Sequence, residues 1–275
     1  MNTVQDDRLI FLTKAAFGPL AVFTAIFGPL LFLFPGSTAA YWAWEIRPEM
    51  SAAWVGAGYT FGALAIWTIL IMNRWHKLFV PIVATWTLST VMLIATIMHW
   101  DRFFINRIQF WIWFIIYVFL PVGLPLIWVL NSRRSIPAQA NEMLLPQPLV
   151  MGFAAGGIAG VVLGLILLFS PATAASFWPW ELTPLMSRVI SGWVLFIGVG
   201  ALCTLLERRY KVYREFILAA TVWFFLLLVA GIWHRSDFDF TRASSYIFFG
   251  LFAAVVPFML FLFITFERRY KSAQQ

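Results

Sequence analysis

Eight apolar runs, each about 20 residues long, decide what this chain can fold into. They cover roughly residues 15–34, 52–72, 78–98, 108–130, 149–169, 189–206, 216–233 and 245–266. About 20 residues at 1.5 Å each cross a ~30 Å hydrocarbon core. In lipid, a helix satisfies all its backbone polar groups within one segment. Composition points the same way. Of 275 residues, 62% are hydrophobic and 11% charged, whereas soluble domains average about 25% charged. That leaves too little polar surface for a water-soluble fold. The expected fold class is all-α: a polytopic membrane protein with eight transmembrane helices.

The runs come as two sets of four. From Pro35 the chain reads P-G-S-T-A-A-Y-W-A-W-E-I-R-P-E-M-S, and from Pro171 it reads P-A-T-A-A-S-F-W-P-W-E-L-T-P-L-M-S. Trp42, Trp44, Glu45, Pro48, Met50 and Ser51 fall on Trp178, Trp180, Glu181, Pro184, Met186 and Ser187. His99, Phe103 and Arg107 meet His234, Phe238 and Arg242, and Arg133-Arg134 meets Arg268-Arg269. The chain therefore divides into a first four-helix repeat (1–134), a polar, proline-bearing cytoplasmic linker (135–148) and a second four-helix repeat (149–275). An even number of spans per copy makes both enter the membrane in the same direction, which predicts parallel repeats about an axis along the membrane normal.

Cations set the orientation. Arg8, Lys14, Arg74, Lys77, Arg133, Arg134, Arg208, Arg209, Lys211, Arg214, Arg268, Arg269 and Lys271 lie on one side. On the other, Arg47, Arg102, Arg107, Arg188, Arg235 and Arg242 are balanced by Glu45, Glu49, Asp101, Glu181, Asp237 and Asp239. The net charge of +7 thus sits on one face, and the positive-inside rule places both termini in the cytoplasm of a bacterial inner membrane. Anionic lipid heads are suitable partners for that face. Nucleic acid is not, because the cations are scattered over five loops and tails. Cys203 stands alone inside a span, so no internal disulfide can form. The first run, with Asp6, Asp7 and Arg8 before it, does not read as a cleavable signal.

The repeated tryptophan loop predicts a short amphipathic helix on the outer leaflet, capped by Thr38 or Ser37, with Trp42, Trp44, Trp178 and Trp180 at headgroup level. Ser51 and Ser187 are placed to cap the following spans. Glu45 and Glu181 recur where neighbouring charges do not. An ion pair with an arginine, Arg107 or Arg242, is the economical role; a cation site is the alternative. His99 and His234 end the third and seventh spans, where a partial positive charge suits a helix C-terminus. With Asp101, Asp237 and Asp239 they could otherwise form an outer vestibule ligating a metal or a haem. No CxxC, HExxH or CxxCH pattern supports a metal site. His76 reads as a solvated loop residue.

Within the spans, Gly152, Gly156, Gly160 and Gly164 recur every four residues, with Gly157 beside them, a face for close helix packing. Pro19, Pro29, Pro121, Pro125 and Pro257 predict kinks or fitted curvature. Thr85, Thr87, Ser89 and Thr90 form a polar strip that can bond carbonyls or line a permeation path. No ionisable residue lies near a span centre, against a proton-coupled pump. With 29 Phe and 15 Trp, sites such as Trp111, Trp113, Phe224 and Phe225 face lipid or stack on a quinone, a pigment such as a carotenoid or chlorin, or a sterol-like lipid.

The two motifs Trp-x-Trp-Glu-Ile/Leu-x-Pro-x-Met-Ser and His-Trp-Asp-Arg-Phe resemble those of a group of bacterial eight-span membrane proteins without an assigned activity. The resemblance implies no residue roles. The leading functional reading is a non-catalytic accessory or structural subunit of a membrane assembly, binding other membrane subunits or a lipophilic molecule. Two alternatives stand beside it: a passive transporter or channel for a small neutral or lipophilic solute, and a haem- or pigment-binding protein using His99 and His234.

Overall fold

The computed structural model of the protein describes residues 8–132 and 142–272, with His76 and Ser132 described in their backbone only. The arginine pair Arg133-Arg134, linker residues 135–141 and the side chain of His76 lie outside the described residues. The described residues form ten α-helices: α1 (Phe11–Leu33), α2 (Thr38–Tyr41), α3 (Glu49–Met72), α4 (Phe79–Met98), α5 (Ile108–Ser132), α6 (Gln147–Phe169), α7 (Pro171–Phe177), α8 (Pro184–Leu202), α9 (Tyr210–Trp233) and α10 (Ala243–Ser272). All except α2 and α7 are long and apolar enough to cross a membrane. The protein is an all-α, multi-pass membrane protein.

Local chemistry sets the helix ends. Asn73 stops α3 with a left-handed backbone at φ 52°, a conformation that asparagine tolerates better than most residues. Its side-chain oxygen then accepts the Leu9 N–H at 3.2 Å, pinning the chain entry to the same end of the bundle. The prolines do not break their helices: α1, α5 and α10 run continuously through them. Pro125 cannot donate to the carbonyl of Pro121, and the Trp86 indole of α4 does so instead at 3.0 Å. A missing backbone donor thus becomes an interhelical tie. Thr87, Ser89 and Thr90 turn back onto the carbonyls of Val83 and Trp86 in their own helix.

Equivalent helices pack in equivalent ways. α1 lies against α3 and α6 against α8, while α5 covers α4 and α10 covers α9. The two copies meet by exchange: α4 packs on α8 and α9 packs on α3. The third span of each copy thus lies on the second span of the other. Glycine permits the closest of these approaches. A methyl on Gly56 would stand 2.5 Å from the Phe32 nitrogen and 2.8 Å from the Gly28 carbonyl oxygen. On the other side, Gly157 and Gly160 face Gly198. This corrects the expected packing stripe. Gly160 and Gly164 do meet α8, but Gly152 and Gly156 have nothing within 4 Å of an added Cβ. The helical turn of 3.6 residues carries a four-residue repeat off the contact face.

At the end of the bundle nearest the chain termini, many cations are paired rather than merely oriented. Lys77 meets Glu215 of the other copy at 2.6 Å, with both side chains largely buried. Arg214 holds Glu267 through two bonds of 2.6 and 2.8 Å. Arg209 is paired with Glu207, and Lys211 with Glu142. The close of the linker is more ordered than its composition implies: Leu145 is fully buried, and its N–H donates to the Arg208 carbonyl at 2.8 Å.

Candidate functional site

The tryptophan loops fold inward. Trp42, Trp44, Trp178 and Trp180 are 2%, 1%, 6% and 1% exposed, so they do not face lipid headgroups as interfacial residues would. The short helices α2 and α7 carry each loop back over its own bundle, and the indoles enter the aromatic core. Trp44 meets Trp113 edge-on at 4.8 Å, and Trp180 meets Phe238 at 5.2 Å. An interior rich in rings offers such edge-to-face contacts in addition to burial. The Trp180 N–H also donates to the Ser51 hydroxyl across the copies at 2.9 Å. Ser51 therefore does not cap α3. Asp237 does, accepting the Met50 N–H at 2.8 Å. Ser187 likewise donates to the Leu167 carbonyl, while Thr183 caps α8. Neither Ser37 nor Thr38 caps α2 with its side chain.

Arg107 and Arg242 do not pair with Glu45 and Glu181. Arg107 donates to the Ala39 carbonyl, and Arg242 to the carbonyls of Ala175 and Trp178 at 2.8 Å. Each guanidinium thus serves carbonyl oxygens at the end of a short helix, where they lack helical partners. Glu45 pairs with its neighbour Arg47 at 2.7 Å in an exposed position, a contact of small energetic weight. Glu181 is exposed, with no ion pair among the described residues. Glu45, Arg47, Glu49, Glu181, His234 and Asp237 line a polar cavity of about 540 Å³ at the loop end.

The histidines stand at C-cap positions, and each faces the other copy. His99 Nε2 lies 2.8 Å from Arg188 Nη1 of α8, while His234 Nδ1 lies 3.5 Å from Glu49 of α3. Asp101 pairs with Arg102 at the surface. The expected common vestibule does not gather these groups, since His99 and Asp101 are not in the wall that holds His234 and Asp237. Among the described residues, no group of three His, Cys, Asp or Glu is arranged to hold a metal ion.

The guanidinium can only donate, so Nε2 accepts and the neutral ring carries its proton on Nδ1. Burial, and then Arg188, hold the imidazole below its ordinary pKa of 6.5. As pH falls, the unfolded chain therefore takes up this proton before the folded one does. The His99 contribution to stability is complete above 6.5 and is lost as pH falls towards the lower folded value. Thermal melts in detergent should show a wild-type midpoint that declines below about pH 6.5 more steeply than that of His99→Gln. Parallel profiles would contradict this assignment.

An extended apolar groove lies in the second copy. A cavity of about 590 Å³ opens between α6, α8, α9 and α10, with Trp54 of α3 contributed by the first copy. Its volume falls within the ~300–1,000 Å³ of small-molecule sites, and its wall is almost wholly apolar. Register explains why it is there. Gly152 and Gly156 stand where the first copy has Ala16 and Leu20. Leu20 is buried in a cluster with Phe17, Ile66, Ile82, Leu120 and Leu124, whereas Gly156 leaves the matching space open. The cavity beside Leu20, walled also by Trp193, Phe196 and Phe216 of the second copy, is only about 50 Å³. The groove was readable as a leucine-to-glycine change between the copies, but equal four-residue spacing drew attention to packing instead. Where the copies meet, Tyr59 sits edge-on to Trp193 at 5.5 Å, and Phe61 to Phe196 at 5.3 Å.

No protein-family model, curated protein or solved structure matches the chain at a significant level.

Proposed function

We propose that this multi-pass membrane protein is a non-catalytic, accessory component of a bacterial inner-membrane assembly, and that it holds a lipophilic molecule in the groove of its second copy. The carrying observation is the 590 Å³ apolar groove opened by Gly152 and Gly156. A wall this apolar offers water few of the polar partners it needs, so hydrocarbon is the suitable occupant. The duplication supports this division of labour. One copy is filled by Leu20 and serves as scaffold, while the other retains space. Cations concentrated at the end holding residues 8 and 272 support cytoplasmic termini.

The test is extraction in mild detergent followed by mass spectrometry of the bound small molecules, for wild type and Gly156→Leu. The leucine has open space around its Cβ and improves helix propensity, so it fills the groove without forcing α6 and α8 apart. Wild type should carry a lipophile that the variant lacks. Identical contents, or none in wild type, would end the reading.

A further inference from the structure

The groove is long, and its length selects its occupant. Along α9 its wall runs from Tyr213 to Leu227, and along α10 from Ser244 to Met259. At 1.5 Å per residue these stretches are about 21 and 22 Å, and because α10 returns antiparallel along α9 from the turn after Trp233, Tyr213 and Ser244 stand about 30 Å apart along the bundle. A single leaflet is about half of the ~30 Å hydrocarbon core, so the groove continues through the bilayer midplane. A phospholipid chain enters from one leaflet and fills only part of it.

Both ends carry polar atoms without partners. The Tyr213 hydroxyl lies towards the end holding residues 8 and 272, and Tyr213 is 2% exposed. The Ser244 hydroxyl and the Trp178 indole N–H lie at the loop end and likewise have no partner. Such buried donors are costly when left unmade. Between the ends the wall is aromatic: Trp54, Trp223, Phe224, Phe248 and Phe252 line the loop-side half and middle, and the Trp54 and Trp223 indole N–H groups are also without partners there. A flexible tail with one polar head would meet one set of donors and leave the other bare.

We infer that the groove binds an elongated, rigid polyene that crosses the membrane, with an oxygen function at each end, of the dihydroxy-carotenoid class. This rests on the lipophile-binding reading above and narrows it. The flat conjugated chain lies along the groove with its faces against the indole and phenyl rings, while its terminal hydroxyls meet Tyr213 at one end and Ser244 or Trp178 at the other. Gly152 and Gly156 provide the smooth wall of α6 along which the chain passes.

The experiment reconstitutes the full-length protein in bilayers with zeaxanthin, which has a hydroxyl at each end, or with β-carotene, the same skeleton without them. Bound zeaxanthin should acquire circular dichroism in its visible band, and in oriented films that band should be polarised along the membrane normal. β-Carotene should bind about fivefold more weakly for each hydrogen bond it lacks. Tyr213→Phe should narrow the gap between the two polyenes while leaving β-carotene affinity unchanged. Failure of both polyenes to bind, or a band polarised in the membrane plane, overturns the inference. If Gly156→Leu expels a quinone or phospholipid from wild type while neither polyene binds, the polyene assignment falls and the lipophile site stands. If Gly156→Leu changes no bound molecule at all, both fall.

Discussion

Replacing Gly56 with leucine should be among the most damaging single changes in this protein. The new side chain would start 2.5 Å from the backbone nitrogen of Phe32 and 2.9 Å from the carbonyl carbon of Leu31. These are main-chain atoms of a continuous helix, and neither can rotate away. α1 must then move off α3, which also opens the contact between Gly28 and Thr60. Overpacking of a close contact costs about 1–3 kcal/mol and occasionally more. A backbone obstacle puts Gly56→Leu at or above the top of that range. The companion change is Gly152→Ala, where nothing lies within 4 Å and helix propensity favours alanine by about 1 kcal/mol. Thermal unfolding in detergent should separate the two variants widely. Equal midpoints would show that the α1–α3 approach is not tight.

The second large effect is expected at Arg214. It binds Glu267 through two short bonds and lies 3.6 Å from Glu215. Both carboxylate side chains are only 12–13% exposed. Removing one partner of a buried pair costs about 3–5 kcal/mol, chiefly because the remaining charge is left without compensation. Arg214 is 30% exposed, Lys77 still reaches Glu215 and Lys271 still reaches Glu267. Arg214→Met should therefore fall near the lower end, about 3 kcal/mol. Adding Glu267→Gln should restore much of the loss, because the orphaned carboxylate is gone, and a double-mutant cycle measures the coupling directly. A single variant as stable as wild type would remove this network from the account of stability.

Much of the architecture was legible in the sequence, for a physical reason. Lipid imposes a length on each span and forbids unpaired backbone, so hydropathy alone located eight helices. Side-chain direction was far less legible. A soluble helix has one apolar face, and its period shows which way it points. Here lipid and protein interior are both apolar, so that contrast is lost. Trp42 and Trp180 were therefore assigned to the headgroup region on composition, although they turn into the core. Charge alone matches Arg107 and Arg242 to Glu45 and Glu181, but Arg107 serves the Ala39 carbonyl, and Arg242 serves two carbonyls while pairing with Asp239 instead. The groove had a visible trace, Leu20 against Gly156, which required comparing the copies position by position. The exchanged packing of α3 on α9 and α4 on α8 had none, since equal repeats fit a side-by-side arrangement as readily.

That exchange bears on how the protein is made. When a ribosome has delivered the first four spans, the face of α3 bearing Trp54 and the face of α4 bearing Met92 have no protein to lie on. Their partners, α9 and α8, are still to be synthesised. The early intermediate must wait in the bilayer with these surfaces turned to lipid or to an insertion factor, and it closes only when the later helices arrive. Two fragments divided within residues 135–141 should thus depend on each other for assembly, and neither is a self-sufficient folding unit despite having its own complete set of four spans.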